Sequence, residues 1–87
     1  MKYKVVLRPG VRKALKKIID NDHQAIMERL ESLAEVPRPE NVKQLTGVPL
    51  LRVRVRDFRI VYNVDDGNRK LTVVKIARRS ERTYKGL

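Results

Sequence analysis

The chain has 87 residues, no cysteine and one histidine, and carries a formal net charge of +11 from 21 basic and 10 acidic residues. That length suits one small domain, residues 1–87, with a single core that buries about 60% of the unfolded surface or slightly more. The absence of cysteine excludes a disulfide framework, a thiol nucleophile and a thiolate metal site. One histidine does not complete a zinc site, so neither a metal nor a small-molecule cofactor is expected. No apolar run approaches the ~18 residues of a transmembrane helix. Charges inside MKYKVVLRPGVRK argue against a signal peptide, so a cytoplasmic protein with no membrane partner is expected.

Lys2–Leu7 alternates weakly and ends in Val5-Val6-Leu7, the pattern of a first strand. Pro9 and Gly10 break it, and Pro9 fits the first turn of a helix. Val11, Ala14, Leu15, Ile18 and Ile19 then recur at helical spacing over residues 10–20. Asp20-Asn21-Asp22 is a turn that supplies an N-cap for a second helix, residues 22–36, with Ile26, Met27, Leu30, Leu33 and Ala34 as its apolar stripe. Pro37 and Pro39 end it, because proline disfavours the helical region for the preceding residue. Asn41–Val48 reads as a loop with Gly47 at its tip. Three strands follow, Leu50–Val55, Phe58–Val64 and Lys70–Ala77, joined at Arg56-Asp57 and at Asp65-Asp66-Gly67-Asn68. Asp57, Asp65 and Asp66 are turn formers, Tyr62 and Met27 belong to the core, and His23 is a surface residue at a helix start. The fold class is α+β: strand, helix, helix, three-strand meander, with the helical hairpin packed on one face of a small twisted sheet.

The most informative segment is LLRVRVRDFRIVY, residues 50–62. Arg52, Arg54 and Arg56 alternate with Leu51, Val53 and Val55, which directs valine to a core and arginine to the opposite face. Arginines two apart on a strand lie about 6.6–6.8 Å from each other, comparable to successive phosphates along a single nucleic-acid strand. Guanidinium groups hold phosphate oxygens in pairs and stay charged at neutral pH. Arg59 alternates against Phe58 and Ile60 and joins Arg52 and Arg54 on the face away from the helices. Charge is concentrated in the same half: residues 51–87 hold 11 basic and 4 acidic residues, against 10 and 6 in residues 1–50. Such a surface attracts a polyanion, with RNA first and DNA or an acidic protein as alternatives. The plainer reading of the same pattern is a solvated basic face.

The element order, the string LLRVRVRDFRIVYNVDDG and the ending IARRSERTYK together resemble the RelE/ParE superfamily of toxins from type II toxin–antitoxin pairs. The resemblance covers the whole chain and is closer to the RelE-like mRNA interferase branch. It implies ribosome-dependent cleavage of mRNA by attack of a ribose 2′-hydroxyl on the adjacent phosphate, and hence inhibition of translation. Residue by residue, it implies site roles for Arg52 and Arg54 on the second strand, Arg59 after the aromatic residue of the next, Arg78 or Arg79 just past the last strand, and Tyr84 near the C-terminus. Arg56 and Arg82 join these as RNA-binding candidates. Arginine stands where some members have lysine, and no Glu or His falls on the predicted sheet to act as an ordinary acid–base pair. The arginines then form an electrostatic clamp, and Tyr84 stacks on a base or passes a proton. The implied partners are the ribosome, mRNA and an antitoxin with a flexible, often acidic tail that folds on binding. The superfamily also holds ParE-type toxins that block DNA gyrase without chemistry of their own, and a toxin fold reduced to binding an acidic partner is a third alternative.

Overall fold

The computed structural model describes residues 2–78. Its elements are β1 (Lys4–Leu7), α1 (Pro9–Lys17), α2 (Asp20–Glu35), β2 (Lys43–Gln44), β3 (Leu51–Val55), β4 (Phe58–Asp65) and β5 (Lys70–Arg78). The strands form one five-stranded sheet in the order β1-β5-β4-β3-β2. The antiparallel meander β3–β4–β5 and the two helices on one face match the α+β expectation. Two pairings lie beyond it. β1 runs parallel to β5, with Val5 opposite Leu71 and Leu7 opposite Val73. Lys43 and Gln44, expected in a loop, form a short edge strand opposite Arg52 and Leu51. That hairpin is closed by the Leu45 N–H donating to the Leu50 carbonyl at 2.9 Å. Gly47 sits in its loop at φ 79°, a conformation that favours glycine.

Pro9 occupies the first turn of α1, and Lys16 and Lys17 lie in its last turn, where cations complement the helix dipole. α1 stops at Lys17; Ile18 and Ile19 are extended, and Ile19 is 68% exposed instead of continuing the apolar stripe. The expected N-cap from Asp20–Asp22 is not what starts α2. Ile19 holds the cap position without a side-chain bond, Asp20 turns the chain at φ 56°, and Asp20 and Asp22 lie inside the first turn. There their carboxylates face the positive end of the helix dipole. Met27 is also not in the core, being 41% exposed. A helix rotates about 100° per residue, so the buried stripe of Ile26, Leu30, Leu33 and Ala34 leaves the neighbour of Ile26 outside.

The sheet has two unlike faces. Val53, Val55, Phe58, Ile60, Tyr62, Leu71, Val73 and Ile76 pack with Val11 and Leu15 of α1 and Ile26, Leu30 and Leu33 of α2. On β5 this requires a change of phase, since Leu71 and Val73 face the helices but so does Ile76. A β-bulge supplies it: Val61 pairs with Lys75 and Tyr62 with Val73, leaving Val74 as the extra residue. The bulge keeps Ile76 in the core and turns Lys75 and Ala77 to the opposite face.

Polar ties fix the end of the sheet that carries the β4–β5 turn. Asp66 accepts from Tyr3 Oη at 2.6 Å and from both Arg38 Nη atoms at 3.0–3.1 Å, joining the residue before β1, the segment after α2 and the turn. The Arg38 guanidinium, then the Tyr3 hydroxyl, hold the Asp66 carboxyl below the usual range. The turn is a four-residue loop with Arg69 at φ 50° rather than a tight Asp-Gly hairpin, and Asp65 accepts from the Asn68 backbone N–H at 3.1 Å. Tyr62 is fully buried, and its hydroxyl donates to the Pro37 carbonyl at 2.6 Å. Burial pushes the Tyr62 phenol up from 10.0 to about 12. The raised folded-state value makes this contribution complete below pH 10.0 and lost as pH climbs towards about 12. Tyr62→Phe is expected to cost about 1 kcal/mol in urea denaturation at neutral pH. It is also expected to flatten the loss of stability between pH 10.0 and about 12 relative to the unaltered chain.

Candidate functional site

The register that buries Val53 against Ile60 sets Arg54 directly opposite Arg59 and Arg52 opposite Val61. Side chains opposite one another on paired strands share a face, so Arg52, Arg54 and Arg59 all project from the side away from the helices. Arg54 is exposed, Arg52 and Arg59 are half-buried, and Nε of Arg59 is shielded from solvent. Val61, on the same face, is 0% exposed, and Ala77 beside Arg59 is also buried. The arginines thus stand over an apolar floor of Val61 and Ala77, with the Arg59 guanidinium itself partly covered.

Two lysines widen this patch. β2 places Lys43 directly opposite Arg52, and the bulge places Lys75 opposite Val61. Asn41, Lys43, Arg52 and Arg54 line a hollow of about 240 Å³. Like charges directly opposite on paired strands destabilise a sheet, so the Lys43–Arg52 pairing weighs against folding unless an anion lies between them. Neither lysine stands out in the sequence as a candidate. Lys43 needed the two-residue strand to be seen; the only hint for Lys75 is a charge interrupting the apolar run VVKIA.

The expected site residues divide. Arg52, Arg54 and Arg59 come together. Arg56 does not join them: the hairpin turn holds it at φ 53°, and its Nε donates to Asp22 Oδ1 on α2 at 2.6 Å. The strand alternation stops at Val55, so the third arginine of the pattern is an ion-pair partner of the helical layer. Arg78 also lies apart. It is paired with Phe58 in register, and its guanidinium carbon sits 4.9 Å from the centre of the Phe58 ring, on the helix side of the sheet. Arg79, Arg82 and Tyr84 fall outside the described residues. Among the described residues no cluster of His, Cys, Asp and Glu is suited to a metal, and no helix is long and apolar enough to cross a membrane.

The two arrangements make opposite contributions to stability. Arg56→Ala removes a half-exposed ion pair and is expected to cost about 0.2–1 kcal/mol. Lys43→Gln relieves a like-charge pair and is expected to raise the urea midpoint slightly. Shifts of the same sign would contradict this account of the patch.

The family model for the ParE toxin of the type II toxin–antitoxin system parDE matches residues 5–83. Among solved structures, the archaeal RelE–RelB complex from Pyrococcus horikoshii OT3 is similar at 26% identity and a TM-score of 0.82, covering 93% of this chain and 99% of that one. The intact E. coli RelBE toxin–antitoxin complex is similar at 25% identity and a TM-score of 0.78, covering 92% and 99%. The isolated E. coli RelE toxin shares the fold at 23% identity and a TM-score of 0.79, covering 97% and 93%. No curated protein matches the chain by sequence. With the family match running over most of its length and RelE toxins sharing its fold, this chain belongs to the RelE/ParE superfamily of toxins from type II toxin–antitoxin systems.

Proposed function

We propose that this toxin is a ribosome-dependent endoribonuclease that cleaves mRNA and so arrests translation in the cytoplasm. The observation that carries the reading is the group Arg52, Arg54 and Arg59 on the open face of the sheet, bordered by a hollow lined with further polar and basic groups. In this reaction the 2′-oxygen forms a bond to the neighbouring phosphorus and the bond from phosphorus to the 5′-oxygen breaks. A proton leaves the 2′-hydroxyl and another reaches the departing oxygen. Arginines so placed neutralise charge that builds on the phosphoryl oxygens, a contribution worth about 10²–10³ in rate for one donor. They are poor proton carriers because they stay charged at neutral pH. Proton handling is assigned to Tyr84, which the resemblance nominates. Since Arg78 stacks on Phe58 away from the ladder, Arg79 is the better candidate for the basic position past the last strand. A site with so little acid–base equipment depends on substrate held in line, and a ribosome that presents splayed mRNA supplies that positioning.

The partner set follows. The E. coli RelBE complex named above pairs a toxin with an antitoxin, and an acidic antitoxin tail complements a chain of charge +11. A second reading is a ParE-type gyrase blocker, favoured by the family model that matches residues 5–83. The basic row argues against it, since blocking an enzyme by binding has no evident need of guanidinium groups at phosphate spacing.

Purified toxin is expected to cut mRNA on programmed ribosomes, leave a 2′,3′-cyclic or 3′-phosphate on the upstream fragment, barely cut naked RNA, and leave gyrase supercoiling unaffected. Arg54→Ala and Arg59→Ala are each expected to slow cleavage about 100-fold or more while the protein stays folded, and Lys16→Ala on α1 is expected to retain activity. Inhibited gyrase with uncut ribosomal mRNA would replace this reading with the ParE-type one.

A further inference from the structure

The basic surface is broader than the arginine ladder, and its long direction is not along β3. Lys43, Arg52, Val61 and Lys75 occupy one row across four adjacent strands. At about 4.8 Å per strand the row spans roughly 14 Å, enough for two or three successive phosphates. Arg54 and Arg59 form a second row beside it, ending at buried Ala77. Along β3 itself the cations stop after Arg54, because Arg56 is bound to Asp22. A strand following β3 would meet two arginines and then a neutralised turn. A strand crossing from β2 to β5 would meet Lys43, Arg52 and Lys75 in the first row, with Arg54 and Arg59 beside them in the second.

Both lysines reach the row by local irregularities. β2 is only two residues long, and one of them is a lysine set against Arg52, an arrangement unfavourable in the absence of an anion. Among the described residues neither the Lys43 nor the Arg52 side chain is in an ion pair, and both line one hollow with Asn41 and Arg54. Lys75 faces outward only because of the extra residue at Val74; without it, alternation from Leu71 and Val73 would carry Lys75 into the helix-packed face. Lysine acts as a mobile point charge on phosphate rather than a two-pronged clamp, which suits holding the strand on either side of the arginines.

We propose that Lys43 and Lys75 are phosphate-contacting residues of this site and that single-stranded RNA crosses the sheet from β2 to β5. The proposal rests on the reading of the open face as an RNA site. The test is binding of a fluorescein-labelled oligouridine of about ten nucleotides, followed by anisotropy over a range of salt. Each phosphate contact contributes about 0.7 to the log–log salt slope for a single strand. Lys43→Ala and Lys75→Ala are each expected to flatten the slope by about 0.7 and weaken binding several-fold, and Lys43→Arg to restore binding. Lys43→Glu is expected to weaken binding further while its thermal midpoint stays level or rises, because glutamate pairs with Arg52. That combination separates loss of a contact from loss of fold.

Lys16→Ala, on α1, is the control expected to bind as the unaltered chain does. If Arg54→Ala weakens binding but either Lys43→Ala or Lys75→Ala behaves as the unaltered chain, the crossing path is overturned and the RNA site stands. If the unaltered chain itself shows a slope near zero, the RNA site fails and the path with it.

Discussion

The pairing of β3 with β4 is the constraint on which core and site both depend. One register sets Val53 against Ile60 and Val55 against Phe58 on the helix side, and Arg54 against Arg59 on the other. Because side chains alternate with period two, a slip of one residue would drive arginine under the helices and expose the valines. The burial of Val53, Ile60 and Phe58 beneath α1 and α2 therefore holds the cations in place with the same free energy that holds the fold. The turn between the strands is secured separately, by Arg56 held to Asp22 on α2. Its residue therefore belongs to the scaffold and not to the charged face.

What the fold sacrifices is visible on the open face. Lysine opposite arginine, as at Lys43 and Arg52, is a pairing that a sheet selected for stability alone would avoid. The face that carries it is floored by buried Val61 and Ala77. A polyanion bound there would replace repulsion by attraction. Stability gained from the ligand is linkage in the ordinary sense, since whatever binds only the folded state favours it.

Much of this was legible in the residues, for physical reasons. The alternation in Leu51–Val55 and Phe58–Asp65 is a direct image of a two-faced sheet, and the stripe Ile26, Leu30, Leu33 is a direct image of a helix lying on it. What escaped depends on contacts between distant parts of the chain. The parallel partner of β1 is fixed by packing with no turn to announce it. The two residues of β2 are too few to show any period. The bulge at Val74 changes the phase of β5 mid-strand, so Lys75 and Ile76 each face opposite to what unbroken alternation gives. Arg56 continues the sequence pattern but not the strand, and Met27 sits beside the stripe without belonging to it. Arg52, Arg54 and Arg59 were nominated by the pattern and are gathered by the register; Lys43 and Lys75 emerged only with the pairing.

The central claim is that this charged face serves a reaction in which RNA supplies its own nucleophile. The measurement that addresses it most directly uses ribosome-bound mRNA with a single 2′-deoxy substitution at the nucleotide whose 3′-phosphate is attacked. All contacts to phosphate remain and only the attacking hydroxyl is lost. The account predicts that cleavage at that position stops while binding of the toxin to the programmed ribosome is retained. Cleavage that continues at the substituted position would contradict it, since the bond would then be broken by some nucleophile other than the neighbouring ribose.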